Sequence, residues 1–135
     1  MSAYGSLKTK YRDRECLLAA LKEMGYETVE VHDEAQHLFG YQGDRRAQKA
    51  NVIVRRQYVS SAANDIGWEL QSDGTYLQHI SDFDKGKHNT KWLNGLKDHY
   101  AEKTIAKEAK KRGLVLKSRR VVNGKKVVTY LKLGV

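Results

Sequence analysis

The sequence predicts a single α+β domain, an antiparallel β-meander with two helices and a basic β-hairpin at the C-terminus. Two segments with helical spacing of apolar residues are separated by four short β-type segments, and a further β-type pair follows the second helix. Glycine-containing turns separate the segments, and the chain has no proline. The predicted order is therefore β-α-β-β-β-β-α-β-β within one domain, residues 1–135, with both helices on one face of the sheet.

The first strand is expected over residues 5–11 and the first helix from Arg14 to Met24. Asp13 is placed to cap this helix, because a short carboxylate accepts a hydrogen bond from the first free amide groups. Gly25 is placed to end it, because glycine readily adopts the left-handed conformation found after many helices. The helix carries an apolar stripe of helical period, formed by Leu17, Leu18, Leu21 and Met24.

The central strands and the second helix follow from the same signals. The four strands of the meander are predicted at about residues 27–32, 50–59, 65–71 and 75–81. Residues 72–74, of sequence Ser-Asp-Gly, form the turn between the last two strands. The second helix is expected from near Thr90 to Arg112, capped by Asn89 and ended by Gly113. Its predicted inner side is formed by Leu93, Leu96, Tyr100, Ile105 and Ala109.

The net charge of +9 lies entirely in the last part of the chain. Residues 110–135 contain nine Lys and Arg and no acidic residue, whereas residues 1–109 contain sixteen basic and sixteen acidic residues. An Asn-Gly pair at 123–124 separates two apolar and basic runs, and both positions suit the positive φ angles of a two-residue hairpin turn. The basic segment is therefore expected to be a structured hairpin and not a flexible arm.

The register of this hairpin follows from placing Val122 opposite Lys125. Residue 121 then faces 126, 119 faces 128 and 117 faces 130, and alternate residues share a face. One face is expected to be buried, and it carries Leu114, Leu116, Val127, Leu131 and Leu133, with Arg120, Val122 and Lys125 toward the turn. The other face is expected to be cationic and exposed, and it carries Lys117, Arg119, Lys126 and Lys132 beside Tyr130, Val115, Val121 and Val128.

The cationic face favours a binding protein over an enzyme. Clustered Lys and Arg side chains bind phosphates through counterion release, and an exposed Tyr130 can stack on a base. Arg45 and Arg46 lie in a predicted basic loop and extend this surface if the fold brings the two together. Gly40 and Gly43 just before them are expected to serve a tight turn. The predicted partner is therefore nucleic acid, contacted through its phosphates with little sequence discrimination.

Three alternatives stay open at this point. The protein can be an enzyme, held in reserve, with a pocket around the loop from His79 to His88. The protein can be an adaptor or inhibitor that docks a sheet edge or the hairpin on an acidic protein partner. The lysines can also serve only to protect a sheet edge and keep the protein in solution.

No catalytic residue, metal site or small-molecule cofactor is assigned from the sequence. His79, Asp82, Asp84 and His88 gather near a strand end, but their spacing matches no recognised set of metal ligands. The carboxylates of Asp65 and Glu69 are expected to face water. The one cysteine, Cys16, is expected to be an inert and partly buried thiol, and Trp68 and Trp92 are expected to anchor the core. An apolar stretch of membrane-spanning length and the apolar core of a signal peptide are both missing, which predicts a cytoplasmic protein.

Several segments carry a resemblance to a known family. They are residues 40–43 (GYQG), 49–55 (KANVIVR), 64–68 (NDIGW) and 74–76 (GTY), together with SLKTKYRDRECLLAALKEMGY near the start and HYAEKTIAKEAKKRGLVL near the end. In these segments the chain resembles the hypothetical chloroplast open-reading-frame thirty-five family of cyanobacteria, plastids and some bacteriophages. The resemblance implies a compact single domain whose activity is not established. Family members often accompany an AAA-type ATPase, which implies an adaptor role by association. The chain departs from the family in a longer connection at 57–63 and in a more basic hairpin.

Overall fold

The structure, a computed structural model, describes residues 3–132 and confirms the predicted architecture. Two α-helices and seven strands follow one another in the predicted order within these residues. They are β1 (Tyr4–Lys8), α1 (Arg14–Glu23), β2 (Glu30–Phe39), β3 (Arg45–Val54), β4 (Ile66–Leu70), β5 (Tyr76–Ser81), α2 (Thr90–Lys111), β6 (Leu114–Val122) and β7 (Lys125–Lys132). Short 3₁₀ helices at Arg56–Tyr58 and Asp82–Gly86 connect β3 to β4 and β5 to α2.

The first five strands form one antiparallel sheet, in the order β1-β5-β4-β3-β2. Both helices cover the same face of this sheet, as predicted. The main core joins Leu17 and Leu21 of α1 and Leu96 of α2 to Trp68 of β4. Trp68 is completely buried, and its indole Nε1 donates a hydrogen bond to Gln78 Oε1 at 2.9 Å. Its predicted role as a core anchor is therefore confirmed.

A second, smaller apolar cluster lies outside the main core. It contains Leu38 of β2 and Ala50 and Ile53 of β3, all completely buried, and Tyr4 of β1 packs against it. The Tyr4 hydroxyl donates a hydrogen bond to the main-chain carbonyl of Asp65 at 2.7 Å. Because β1 and β2 are opposite edges of the sheet, Tyr4 reaches across one face of the sheet to this cluster.

The predicted helix ends are confirmed by their hydrogen bonds and φ angles. The Asp13 carboxylate accepts from the Cys16 amide at 3.1 Å, and the Asn89 side chain accepts from the Trp92 amide at 3.2 Å. Gly25 after α1 and Gly113 after α2 have φ angles of 100° and 69°. Cys16 is buried, and burial raises the pKa of its thiol, which agrees with an inert cysteine.

The predicted limits of β2 and β3 are wrong. β2 continues through Phe39, and β3 begins at Arg45 and ends at Val54, so residues 45–49 form a strand where a basic loop was expected. The β2 segment after Val31 is polar because it is an edge strand with an exposed face, and a polar composition hides a strand from hydrophobic patterning. The tight turn at Gly40 is confirmed, since the Gly43 amide donates to the Gly40 carbonyl at 2.9 Å.

The hairpin turn is confirmed, and its register is confirmed near the turn only. Asn123 and Gly124 have φ angles of 50° and 74°, and residues 122, 121 and 119 pair with 125, 126 and 128. Lys117 does not lie opposite Tyr130, because Leu116 takes that position and the register shifts between 116 and 118. Lys117 is thus the extra residue of a β-bulge, and the bulge moves Leu116 onto the face that carries Arg119.

The predicted burial of one hairpin face is wrong. No residue between 114 and 132 is buried, and Leu116 and Leu131 on the two strands remain 42% and 53% exposed. β6 and β7 form a two-stranded sheet of their own, and none of their described residues belongs to the apolar core. Ile105 of α2 was predicted to face inward and is instead 50% exposed. Leu133 lies outside the described residues.

Candidate functional site

The basic hairpin is attached to α2 by an ion pair, and a groove lies beside this attachment. The Arg119 guanidinium of β6 pairs with the Glu102 carboxylate of α2. Next to this pair, a groove of about 490 Å³ separates the helix from the hairpin, and it is lined by Asp98, Ala101, Glu102 and Ile105 of α2 and by Val121, Gly124, Lys125, Lys126 and Val128. The hairpin face that carries Arg119 was expected to be exposed and instead points toward α2. Arg119 attaches the hairpin to this helix.

Most of the hairpin cations have no acidic partner. In the part of the chain that the structure describes, no Asp or Glu forms an ion pair with the exposed side chains of Lys117, Arg120, Lys125, Lys126 and Lys132. Arg120 and Lys125 lie on the face opposite Arg119, which was expected to be buried. Hydrophobic patterning predicted that Arg120 and Lys125 would lie on a buried face, because this face also carries valines and leucines.

Tyr130, the predicted stacking residue, is half-buried and not fully exposed. It pairs with Leu116 and shares the face of Lys126 and Lys132.

Arg45 and Arg46, which were predicted to extend the basic surface of the hairpin, lie in a different part of the fold. Arg46 contacts the Asp44 carboxylate at 3.6 Å, and its guanidinium lies 5.1 Å from the centre of the Tyr4 ring. Arg45 is exposed at the start of the same strand. The hairpin packs against α2, whereas Arg46 packs against β1, so these contacts do not join the two predicted parts of the cationic surface.

Asp65 is buried, so the expectation that it faces water is wrong. Its carboxylate is 1% exposed and accepts hydrogen bonds from Arg55 at 2.9 Å and from the main-chain amides of Phe39 and Arg56 at 2.7 Å. Arg55 in turn donates to both carboxylate oxygens of Glu30, at 2.8 and 2.9 Å, and this contact lowers the pKa of Glu30. This group joins β2, β3 and the start of β4, and its role is structural.

The histidines and carboxylates near the end of β5 form separate pairs and not one cluster. His79 donates a hydrogen bond to the Glu69 carboxylate at 2.9 Å, and its other ring nitrogen is hydrogen-bonded to Ser6. Glu69 is half-buried. The Asp84 carboxylate accepts from the Ser81 hydroxyl at 2.6 Å and from Asn64. Among the described residues, no group of three or more His, Cys, Asp or Glu side chains is placed to hold a metal ion.

His88 is an imidazole whose burial favours its neutral form. Its Nδ1 donates to the main-chain carbonyl of Asp84 at 3.2 Å, and its Nε2 lies 3.4 Å from the Tyr26 hydroxyl. The same hydroxyl accepts from Trp92 Nε1 at 3.2 Å, so its own proton is available to His88. Burial lowers the pKa of His88.

We expect this histidine to make the fold less stable in mild acid. The unfolded chain takes up a proton on His88 near pH 6.5, whereas the folded protein does so only at lower pH, so the free energy of unfolding falls as the pH drops below about 6.5. Urea unfolding at several pH values checks this, and a His88→Gln variant should show a shallower slope. A proton NMR titration in which His88 of the folded protein takes up its proton at or above pH 6.5 would contradict the expectation.

The fold and its exposed cations define a small α+β protein with a basic β-ribbon attached to the second helix. A family model described as protein of unknown function, DUF1257, matches residues 20–128, and the chain belongs to this family. The matched segment runs from α1 into β7 and so includes most of the hairpin. No curated protein and no solved structure matches the chain. None of the described helices has both the length and the apolar character needed to cross a bilayer.

Proposed function

We propose that the protein binds nucleic acid through phosphate contacts of the basic hairpin. The observation that carries this proposal is the set of five hairpin cations without an acidic partner among the described residues, Lys117, Arg120, Lys125, Lys126 and Lys132. A nucleic acid that binds there releases condensed counterions, which makes binding favourable and strongly dependent on salt. Residues 1–109 are formally neutral and do not oppose this attraction.

The shape of the hairpin supports the same function. It is a two-stranded antiparallel ribbon with no buried residue, and its cations lie on both faces and at the bulge. Such a ribbon can follow a single strand or enter the major groove of a duplex. Lys110 and Lys111 at the end of α2 extend the positive charge at the base of the ribbon. Contacts of this kind reach the backbone and give little sequence discrimination.

The expected result is a loss of binding when three cations of the hairpin are reversed. The variant Lys117→Glu, Lys125→Glu, Lys126→Glu should bind labelled oligonucleotides about tenfold more weakly or worse, because three phosphate contacts become repulsive. The slope of log K against log salt for a single strand should become less steep by about 2. Fluorescence anisotropy with single-stranded DNA, RNA and duplex DNA at two salt concentrations measures both quantities.

Arg119 is left intact in this variant because its reversal would place a carboxylate beside Glu102 and detach the hairpin. The matched control is Lys8→Glu, Lys10→Glu, Lys97→Glu, which changes the charge equally on the body of the protein. Binding that is absent at low salt, or that weakens equally in the control, would contradict the proposal.

A second candidate is an adaptor or inhibitor that docks on an acidic protein partner. On the outer face of the hairpin, Val115, Val122 and Leu131 are between 42% and 53% exposed beside Arg120 and Lys125. Exposed apolar side chains with charged neighbours are typical of protein-binding surfaces. The resemblance to the chloroplast open-reading-frame family makes an AAA-type ATPase one such partner. A purified complex that survives nuclease treatment and is lost in a Val122→Lys variant would favour this candidate over the first.

A further inference from the structure

Two clefts lie end to end between β1 and α2, far along the chain from the hairpin. The first, of about 460 Å³, is lined by Gly5, Ser6 and Leu7 of β1 and by Gln78, Ile80, Lys85, His88, Asn89, Thr90 and Leu93. The second, of about 390 Å³, is lined by Lys8, Thr9, Lys10, Tyr11, Lys97 and Tyr100. Residues 5–11, from β1 and the segment directly after it, form one wall of both clefts. Residues 90, 93, 97 and 100, which follow one face of α2, form the other wall, so the two clefts make a single groove.

The strand beside this groove has a free edge. β1 is the end strand of the sheet, and no other strand of the described residues pairs with its outer side. The Asp82 amide donates to the Ala3 carbonyl at 2.7 Å, so this pair of residues is hydrogen-bonded. Hydrogen-bonded pairs alternate along an antiparallel ladder, so the main-chain groups of Gly5 and Leu7 also point toward β5. The main-chain N–H and C=O groups of the alternate residues Tyr4, Ser6 and Lys8 therefore point outward. They can accept a further strand.

The side chains of the groove define the chemistry of that strand. The apolar parts come from Leu7, which is 46% exposed, and from the half-buried Leu93. Lys8, Lys10 and Lys97 are exposed, and among the described residues none of them forms an ion pair. Lys85 adds a fourth cation, paired with Asp82. No acidic residue lines either cleft, so the charge of the groove is complementary to that of an anion.

We infer that this groove binds an extended acidic peptide segment of a partner protein, added to β1 as a further strand. Main-chain hydrogen bonds to the outward groups of β1 give affinity, and an apolar side chain of the peptide sits between Leu7, Ile80 and Leu93. Acidic side chains of the peptide face Lys8 and Lys97. A nucleic acid has no regular series of N–H and C=O groups to pair with a strand edge, so the free edge favours a peptide. The inference does not depend on the hairpin.

The test uses a fluorescein-labelled peptide of alternating Glu and Val, about eight residues long so that it spans a typical strand. We expect saturable binding by fluorescence anisotropy and NMR shifts confined to β1 and the first half of α2. A peptide with Lys in place of Glu should not bind. Two further peptides carry N-methyl groups on the odd-numbered or on the even-numbered amides. The one whose methyl groups lie on the amides that face β1 should bind at least about tenfold more weakly because it cannot pair with β1.

Variants of the protein locate the site. The double variant Lys8→Glu, Lys97→Glu should weaken peptide binding about tenfold. The double variant Lys117→Glu, Lys126→Glu makes an equal charge change on the hairpin and should not weaken it. Gly5→Val places a branched side chain in the first cleft and should block the peptide. This variant should fold, because the φ angle of Gly5 is not positive and the atoms nearest to an added Cβ are the flexible end of Lys85, at 3.2 and 3.3 Å.

Three results would overturn the inference. The first is the absence of saturable binding up to about 1 mM peptide. The second is binding that the hairpin variant abolishes and the groove variant leaves intact. The third is a groove variant that loses oligonucleotide binding while it retains the peptide, which would assign the groove lysines to nucleic acid. The first two results leave the hairpin proposal unchanged. The third also counts against it, because it places oligonucleotide binding on the body of the protein.

Discussion

Replacement of Arg55 by alanine is expected to destabilise the fold by about 3–5 kcal/mol, because it leaves a buried carboxylate without its counter-charge. Arg55 is 18% exposed and lies between Asp65, which is 1% exposed, and Glu30. The two main-chain amides that also donate to Asp65 satisfy hydrogen bonds but do not neutralise its charge. Without Arg55, the folded protein must keep an uncompensated anion or bind a proton.

Urea unfolding, followed by tryptophan fluorescence, measures this loss at neutral pH. Arg45→Ala is the matched control, since Arg45 begins the strand that Arg55 directly follows but is exposed, and its replacement should change stability by less than about 0.5 kcal/mol. Adding Asp65→Asn to Arg55→Ala should recover part of the loss because it removes the unpaired charge. Equal effects of the Arg55 and Arg45 replacements would show that the buried ion pair does not support the fold.

Replacement of Gly67 by alanine is expected to destabilise the protein by about 2–3 kcal/mol through overpacking. A Cβ atom at Gly67 would lie 2.5 Å from the Cβ of Ala50 and 2.9 Å from Cδ2 of Leu38. Ala50 has no rotatable side chain, so relief requires movement of β3 or β4. Both neighbours are completely buried in the smaller apolar cluster, where no open space receives a displaced group.

Gly86→Ala is the control for this prediction. No atom lies within 4 Å of a Cβ built at Gly86, and its φ angle is not positive, so the same substitution should be nearly neutral. Thermal or urea unfolding of the two variants separates steric crowding from the general effect of replacing glycine. A double variant with Ala50→Gly should regain stability in the Gly67→Ala background, since it removes the atom in closest contact. Equal stability of the two single variants would contradict the packing described here.

Local signals were enough to predict the helices, their ends and the hairpin turn. Asp13 and Asn89 cap helices because of their own side chains, and Asn123 and Gly124 form the turn because of their own φ preferences. These interactions act within a few residues of the chain. The order of elements and the basic C-terminal segment were predictable for the same reason.

The buried polar residues were not predictable, because their partners are distant in sequence. Asp65 and Glu69 are both acidic residues near β4, yet Asp65 contacts Arg55 and Phe39 and is buried, while Glu69 remains partly exposed beside His79. Alternation of polar and apolar residues cannot distinguish these two environments. A buried carboxylate becomes identifiable only when β2 and β3 bring its donors to it.

The α+β order, the helix caps, the turn at residues 123–124 and the positive charge after α2 could be inferred from the sequence alone, since each depends on neighbouring residues. Tertiary structure was needed to define which hairpin face meets α2, because the bulge at Lys117 and the Arg119–Glu102 ion pair depend on contacts between elements. It also decided the groove between β1 and α2, because the free edge of β1 follows from strand order. Strand order is a property of the whole sheet, and no local sequence pattern specifies it.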